Sequence, residues 1–510
     1  MRWTAFVDQI TLVIFSCLPL TDSPMLTFDN SYVRELEGLY VFGCAERKVA
    51  PKISRLNHSL AEELGLAPDE LDSPEWAAYF SGNAVAPGSQ PIAQAYAGHQ
   101  FGNFAPQLGD GRALLLGEVL DRSGHRRDIQ LKGSGPTIFS RNGDGKAALG
   151  PMLREYLMGE AMRNLGIATS RALAVVATGE PVYRETALPG AVLTRVAASH
   201  IRIGTFEYVA ARGDFPMLKR LADYTIARHY PELQGRPYIE FLRAFSIRLA
   251  GLVAQWMGTG FIHGVMNTDN MALSGETMDY GPCAFMEHYD PLAVFSSIDR
   301  RGRYAYGNQP AIAQWNLARF AETLLPLLDE DGDRAVGLAT QAVDAFADHY
   351  RDAWLSVMRR KLGLKREEEE DASLADGFLE AMLAGEADFT LAWRALADAA
   401  EGSESLFGLF VGNREKLDAW LPRWQARLAR EGRPTGGIAA DLRRTNPVVI
   451  PRNYLVEQAL EAASSQGDMA PFDRLLDALA DPYAESCDTL SYSRPAPREH
   501  TARYQTFCGT

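Results

Sequence analysis

The sequence predicts an α+β protein with a sheet-rich N-terminal lobe and a larger helical C-terminal lobe. Short strand-like runs, separated by glycine-rich turns, fill residues 101–210. From residue 216 onward, apolar residues recur at helical spacing. A polar segment at 263–281 follows the first long helix, at the point where two such lobes would face each other. A cleft between lobes is the usual place for a ligand.

The sheet-rich part is predicted to begin with a hairpin and to contain one helix. Its two strands are Arg112–Leu120 and Asp128–Lys132, with polar turn residues between them. A glycine-rich loop, 133–145, comes next and precedes a helix over Pro151–Leu165, which Gly166 ends. Two further strands are predicted at Ala172–Thr178 and Gly190–Ala197.

The helical part is predicted to start with a long buried helix over Tyr238–Met257. Its apolar residues have helical spacing: Phe241, Phe245, Leu249, Leu252 and Trp256. The further helices are predicted at 311–328, 336–360, 374–384, 388–400, 413–430, 453–465 and 471–480. Residues 25–100 are assigned short helices and loops.

These patterns divide the chain into five segments. Residues 1–24 are predicted to be a non-native or disordered extension, because the apolar run Ile10–Leu20 is too short to span a bilayer and Met25 resembles an ordinary protein start. The other segments are an N-terminal segment, a sheet-rich lobe, a helical core with the polar segment, and a helical extension with the tail. They cover residues 25–100, 101–210, 211–330 and 331–510.

Composition excludes several classes of partner and site. The 510 residues carry a net charge of -14, which disfavours non-specific binding to nucleic acid or anionic membrane. None of the five cysteines forms a C-x-x-C pair, so neither a zinc site nor a thioredoxin motif is indicated. An odd cysteine count in a long chain suggests a reducing compartment.

The polar segment matches a kinase catalytic loop with one substitution. Kinases carry His-x-Asp-x-x-x-x-Asn followed by Asp-Phe-Gly. Here His263, Asn270 and Asp279 fit the histidine, the asparagine and the metal-binding aspartate. Val265 occupies the position of the kinase base and cannot accept a proton. Asp269 is the carboxylate able to act as a base instead.

A lysine and a glutamate upstream complete the kinase-like order. Lys132 ends a strand where the glycine-rich loop begins, and Glu155 on the next helix is its natural partner. A surface salt bridge is the alternative, but the order strand, lysine, glycine loop and glutamate-bearing helix favours a phosphate-binding role. Asn270 and Asp279 offer the oxygen ligands that magnesium prefers. We therefore expect a protein-kinase-like bilobal fold.

Other glycines and arginines are weak signals by themselves. Gly145-Lys146 is not followed by Ser or Thr, which excludes a Walker A motif. The turn Gly109–Arg112 would be taken as a hairpin turn in isolation. Arg195 and Arg202 could bind phosphate bidentately, but two arginines in a chain with 51 basic residues carry no weight alone.

Four motifs together resemble the selenoprotein O (SelO) family, across residues 25–510. They are Gln94–Gly102 (QAYAGHQFG), Gln107–Arg112 (QLGDGR), Leu131–Thr137 (LKGSGPT) and His263–Asn270 (HGVMNTDN). The resemblance implies a pseudokinase fold that binds ATP in a flipped orientation. It also implies a protein adenylyltransferase that transfers AMP, or in some members UMP, to Ser, Thr or Tyr hydroxyls of proteins.

The resemblance also implies roles for particular residues. Asp269 would be the general base, Asn270 and Asp279 would hold Mg²⁺ or Mn²⁺, and Glu155 would support Lys132. The expected ATP- or UTP-binding residues are Gly109, Gly111, Arg112, Lys132, Asp144, Gly145, Arg195, Arg202 and Asp279. A monomer is expected, cytoplasmic as in bacterial members or mitochondrial if eukaryotic.

One departure and two alternatives remain. Some bacterial members carry a cysteine after the Asp-x-Gly element that can pair with a terminal cysteine. Here 292–297 has none, so a redox lock through that segment is not expected. Cys283 is near and Cys508 is third from the end, which leaves a Cys283–Cys508 disulfide as the alternative route. The motifs also allow two other functions. The protein could transfer a phosphoryl group to a small molecule or protein, or it could be a non-catalytic regulator that binds ATP.

Overall fold

The computed structural model describes residues 26–501 and 504–507. The predicted N-terminal extension, 1–24, lies outside the described residues. None of the helices in these ranges is long and apolar enough to cross a membrane. The architecture is α+β, as predicted, with one large sheet and many helices.

Eight strands form one sheet, in which all described pairings are antiparallel. The order is β1-β3-β6-β7-β10-β9-β2, and β8 pairs with β10 beside this path. These strands are β1 (Tyr40–Phe42), β2 (Lys52–Leu56), β3 (Ile92–Gln94), β6 (Ala113–Leu120), β7 (Arg126–Lys132), β8 (Ala147–Ala148), β9 (Arg171–Tyr183) and β10 (Ala187–Ala197). Two small hairpins add β4 (Gly98–Gln100) with β5 (Asn103–Ala105), and β11 (Phe261–Ile262) with β12 (Ala284–Phe285).

The helices are mostly in the second half of the chain. Those before residue 260 are α1 (Ser31–Glu35), α2 (His58–Glu63), α3 (Pro68–Leu71), α4 (Pro74–Ser81), α5 (Leu149–Asn164), α6 (Ile203–Ala210), α7 (Phe215–His229) and α8 (Tyr238–Thr259). Those after it are α9 (Gln309–Leu328), α10 (Gly332–Asp344), α11 (Phe346–Lys361), α12 (Asp371–Ala384), α13 (Phe389–Ala400), α14 (Glu415–Arg430), α15 (Thr435–Thr445), α16 (Asn453–Glu461), α17 (Ala470–Ala478), α18 (Cys487–Tyr492) and α19 (Arg498–Thr501).

The sheet is buried on both faces. Neighbouring residues of β10 point in opposite directions, so Val192 packs in a cluster with Trp76 and Phe80 of α4. Leu193 packs in the other cluster, with Leu157 of α5. Helix α5 covers the face opposite α4. A side chain of α5 can therefore meet residues of β7 and β10 that point to that face, at the ends of these strands.

Helix α8 carries the polar segment into place. The five apolar residues predicted to face the core are all buried. Gly260, with φ of 74°, ends the helix in the left-handed conformation that glycine favours. Strand β11 follows at once, and the kinase-like loop leaves from its end. The loop is therefore attached to a helix whose apolar face is buried in the core.

Tertiary packing shifted several predicted boundaries. The helix predicted at 336–360 is two helices, α10 and α11, with the break at Ala345. Helix α10 packs mainly on α9, whereas α11 packs mainly on α8, so the chain must change direction between them. Helix α15 was missed because its first turn contains Gly436 and Gly437, which are poor helix formers. Four strands, β1 to β4, stand in 25–100 where only short helices and loops were expected.

We expect Lys361→Met to stabilise the protein at neutral pH. Lys361 is 4% exposed, and its ammonium lies 4.9 Å from the centroid of the Trp393 ring. Burial lowers the pKa of Lys361 from 10.5 to about 7. Between these values the unfolded chain binds a proton that the folded chain does not, so stability rises with pH across this window.

Methionine removes the cost of burying the ionisable group of Lys361. The free energy of unfolding at pH 7 should therefore increase by roughly 2–4 kcal/mol, at about 1.4 kcal/mol per pKa unit. The gain should shrink toward pH 10. Urea unfolding at pH 7 and pH 10 measures the gain in stability. Lys52→Met is the control, because Lys52 is an exposed residue of the edge strand β2. A variant that is less stable than the parent at pH 7 would show that the cation–π contact outweighs the burial of the charge.

Candidate active site

A cavity of about 950 Å³ lies between the ends of β7 and β10, helix α5 and the polar segment. Every site residue predicted from the sequence lines it. They are Gly109, Gly111, Arg112, Lys132, Asp144, Gly145, Glu155, Arg195, Arg202, Asp269, Asn270 and Asp279. The fold thus brings together side chains that are up to 170 positions apart in the chain.

Three cations converge on one carboxylate at the floor of the cavity. Asp279 Oδ1 accepts from Lys132 Nζ at 2.9 Å and from an Arg195 guanidinium nitrogen at 2.6 Å. Asp279 Oδ2 lies 3.6 Å from Arg202. Glu155, on α5, binds Lys132 at 2.5 Å and Arg195 at 3.2 Å. Three cations and two carboxylates thus form one buried cluster.

The same charges keep Asp279 ionised. Burial alone would raise the pKa of Asp279, but the charges of Arg195, Lys132 and Arg202 outweigh it and hold the pKa well below its usual range. The backbone of Asp279 has φ of 63°, a left-handed conformation that favours glycine, asparagine and aspartate. An aspartate at this position both fits the turn and supplies the charge.

Glycine residues allow the backbone to approach the cavity closely. A side chain at Gly145, where φ is 63°, would place its Cβ 2.2 Å from the carbonyl oxygen of Gly135. At Gly109, with φ of 77°, the Cβ would lie 2.3 Å from the ring of Phe139. These loops can exist in this form only with glycine. The segment at 109–112 is a loop before β6 and is not the hairpin turn that it resembles in isolation.

Asp144 has a partner at the rim of the cavity. It accepts hydrogen bonds from the two terminal guanidinium nitrogens of Arg184, at 2.7 and 3.2 Å. This pairing with Arg184 lowers the pKa of Asp144. The arrangement holds the glycine-rich loop against the turn between β9 and β10, where the loop borders the cavity.

The kinase-like loop is held by buried hydrogen bonds. The Nε2 atom of His263 lies 3.0 Å from the carbonyl oxygen of Met278, which agrees with the structural role expected for this histidine. The Asn270 amide donates to the Val265 carbonyl at 2.9 Å. The first contact fixes the loop relative to Asp279, and the second braces the loop internally.

Asp269 is a nearly buried carboxylate on the opposite wall. It is 8% exposed, and burial raises its pKa to about 6, against the opposing effect of a hydrogen bond from Gln100. The Arg202 guanidinium donates to the Asp269 backbone carbonyl at 2.8 Å. Arg202 therefore joins the cation cluster to the segment that carries the second carboxylate.

Comparison with known proteins identifies the family. A model described as "Protein adenylyltransferase SelO" matches residues 25–480. The chain belongs to the SelO family. The resemblance inferred from four motifs is thereby confirmed over most of the chain.

Curated relatives of this SelO-family member are similar over nearly their whole length. A protein of Cereibacter sphaeroides strain KD131 is 60% identical over 95% of this chain and 99% of its own. A protein of Chromobacterium violaceum is 59% identical over 91% of this chain and 98% of its own. A protein of Rhizobium rhizogenes is 53% identical over 96% of this chain and 98% of its own. All three are named "Protein nucleotidyltransferase YdiU". The chain is therefore a nucleotidyltransferase, an enzyme that uses a nucleoside triphosphate.

Sequence reasoning missed residues that support the SelO-family site. Arg195 donates to Gln130 Oε1 at 2.5 and 3.2 Å, and Gln130 in turn donates to buried Asp110 at 3.2 Å. Burial raises the pKa of Asp110 to about 6, with the Arg202 charge opposing it. The period of two along β7 was an available signal, because Gln130 and Lys132 must share a face. Tyr96 had no local signal; its ring stacks under the Arg202 guanidinium at 4.4 Å.

The C-terminal tail borders the cavity. The Thr506 hydroxyl donates to the Pro282 carbonyl at 2.7 Å, and the Thr506 backbone pairs with the segment around Ser296. Cys508 lies outside the described residues. Cys283 is fully buried, and burial raises the pKa of its thiol to about 11. A thiol so shielded is a poor nucleophile.

Proposed function

We propose that this enzyme transfers AMP from ATP to a hydroxyl group of Ser, Thr or Tyr in a protein and releases pyrophosphate. The observation that carries the proposal is the pairing of a buried cation cluster with a relocated carboxylate in one cavity. Val265 stands where a kinase base would be, whereas Asp269 lines the same cavity as Lys132, Arg195 and Arg202. UTP is the alternative donor.

The fold that we propose is kinase-like and bilobal. The sheet with α5 corresponds to the N-terminal lobe and the helices from α7 onward to the C-terminal lobe. Lys132 on a strand and Glu155 on α5, the long helix that covers one face of the sheet, lie 2.5 Å apart, and this pair supports the assignment. The proposed boundaries remain 25–100, 101–210, 211–330 and 331–510, with strands from the first segment joining the sheet of the second.

The charge distribution supports a nucleotide bound with its terminal phosphates inward. Lys132, Arg195 and Arg202 are each less than 10% exposed, so they can bind only groups that enter the cavity. The β- and γ-phosphates carry the highest charge density of the nucleotide, and guanidinium forks suit their oxygens. With these phosphates inside, the α-phosphate lies farther out, within reach of an incoming hydroxyl.

Asp269 is the proposed general base. The hydroxyl oxygen of the acceptor protein attacks the α-phosphorus, its proton passes to the Asp269 carboxylate, and the bond from the α-phosphorus to the bridging oxygen breaks. Pyrophosphate leaves with that bonding electron pair. The cation cluster stabilises the charge that grows on the leaving group. Burial favours this role because it raises the proton affinity of Asp269.

The residues present suit a magnesium or manganese ion that bridges protein and phosphate. No group of three or more His, Cys, Asp or Glu residues in the described part of the chain is arranged to hold a metal unaided. Magnesium, however, is usually held by one or two protein oxygens together with substrate phosphates. Asp279 and Asn270, which both line the cavity, would be those ligands. When bound, the ion would add positive charge beside the phosphates.

Mass spectrometry of the protein after incubation with ATP, or with UTP, and Mg²⁺ tests the proposal. We expect a nucleotidyl group on a hydroxyl side chain of the enzyme or of an added acceptor protein, together with pyrophosphate in solution. The identity of the attached nucleoside decides between AMP and UMP. A phosphoryl group on the acceptor, with ADP as the other product, would contradict the proposal in favour of a kinase.

A further inference from the structure

The β4–β5 hairpin, residues 98–105, docks on the segment that carries Asp269. The His99 backbone amide donates to the Thr268 hydroxyl at 2.7 Å, and the Phe101 amide donates to Asn267 Oδ1 at 3.0 Å. Between these two contacts the Gln100 side chain donates to Asp269 Oδ2 at 3.2 Å. Three successive residues of the hairpin therefore bind three successive residues of the loop.

The hairpin also encloses the other oxygen of Asp269. A Cβ atom at Gly98 would lie 2.7 Å from Asp269 Oδ1, so the bare backbone of Gly98 packs against this carboxylate. Oδ1 is buried and has no hydrogen-bond partner among the described residues. Because Oδ1 is shut off from the cavity, Oδ2 is left as the oxygen for an incoming hydroxyl.

The hairpin itself is held in a fixed position. Glu207, on α6, binds the His99 ring at 2.5 Å through one oxygen and the Thr268 hydroxyl at 2.6 Å through the other. Its carboxylate thus joins the hairpin and the loop directly. The two residues of the hairpin turn, Phe101 and Gly102, have φ of 50° and 82°, as a tight two-residue turn requires. A rigid support of this kind can hold a carboxylate in one orientation.

We infer that Gln100 is a positioning residue for the catalytic base: its amide, opposite the Gly98 wall, directs Asp269 Oδ2 toward the acceptor hydroxyl. This inference rests on the proposed function, in which Asp269 accepts the proton. A general base contributes only when its lone pair points at the proton that it removes, and an error of about 1 Å can cost on the order of a hundredfold in rate. Gln100 lines the cavity and so acts next to the reacting atoms.

The test is Gln100→Met, which nearly preserves the length of the side chain and removes the donor. We expect kcat for α-phosphate transfer to fall by about tenfold to a hundredfold, because the base loses its orientation. The Kd for ATP, measured by calorimetry, and the Tm should stay close to those of the parent. Gln100→Glu, of the same shape, should lose at least as much, because it places two carboxylates side by side. Asn103→Ala, an exposed residue opposite Gln100 in the same hairpin, is the control and should retain the parental kcat.

Each outcome decides the inference. A Gln100→Met variant that retains kcat within about twofold overturns it, and so does one whose ATP affinity falls in parallel with kcat, since that would place Gln100 in the nucleotide site. Full activity of Gln100→Glu would also overturn it. The proposed function fails separately, when the parent enzyme itself transfers no α-phosphate.

Discussion

Asp279→Asn is expected to abolish nucleotidyl transfer in a protein that still folds. The substitution removes the negative charge on which Lys132, Arg195 and Arg202 converge, and the proposed metal loses its carboxylate ligand. An amide cannot replace either function, so we expect the rate to fall by about a thousandfold or more. Asparagine tolerates the left-handed backbone at this position, where φ is 63°.

The fold should survive because Glu155 still pairs with Lys132 and Arg195. Incorporation of α-labelled nucleotide measures the rate, and thermal unfolding shows whether the variant is folded. Asp352→Asn is the control, because Asp352 is 78% exposed on α11, away from the cavity. A folded Asp279→Asn enzyme with a rate near that of the parent would reject the assigned role.

Lys132→Met is expected to lower the transfer rate by about a hundredfold or more, because the buried positive charge that would bind the phosphates is lost. Its ammonium lies 2.5 Å from Glu155 and 2.9 Å from Asp279, at 7% exposure. Arg195 binds both carboxylates as well, so neither is left unpaired in the variant. We therefore expect a folded protein with weak ATP affinity.

Calorimetric titration with ATP and the α-label assay measure the two effects of Lys132→Met. Lys52→Met, on the edge strand β2 of the same sheet, controls for the loss of one positive charge. If Lys132→Met binds ATP and transfers AMP as the parent does, the lysine only braces Glu155 and the phosphates bind elsewhere.

Local patterns in the sequence were sufficient for the elements that carry the site. Two strand-like runs with polar turn residues between them predicted the β6–β7 hairpin, whose strands pair from Ala113 with Lys132 to Leu120 with Arg126. Helical periodicity predicted α8, and proline and glycine punctuation predicted α5. Because Lys132, Glu155 and the kinase-like loop lie on these elements, their approach could be anticipated from chain order.

Contacts that depend on tertiary packing could not be anticipated. Gln100 meets Asp269 across 169 positions, and nothing near either residue in the chain indicates this contact. The break at Ala345 contains no proline or glycine that would predict it. It is set by the packing of α10 and α11 mainly on different helices. Strand β2 joins the sheet by pairing with β9. The sequence of β2, KISRL, mixes charged, polar and apolar residues and does not favour this pairing by itself.

Incubation of the enzyme with ATP labelled at either the α- or the γ-phosphate tests the central claim most directly. Val265 in place of the kinase base, with Asp269 in the cavity beside a cation cluster, leads us to expect protein-bound α-label and no protein-bound γ-label. The α-label should disappear in Asp269→Asn under the same conditions, since the proton acceptor is lost. Protein-bound γ-label without α-label would contradict the account and show that the enzyme is a kinase.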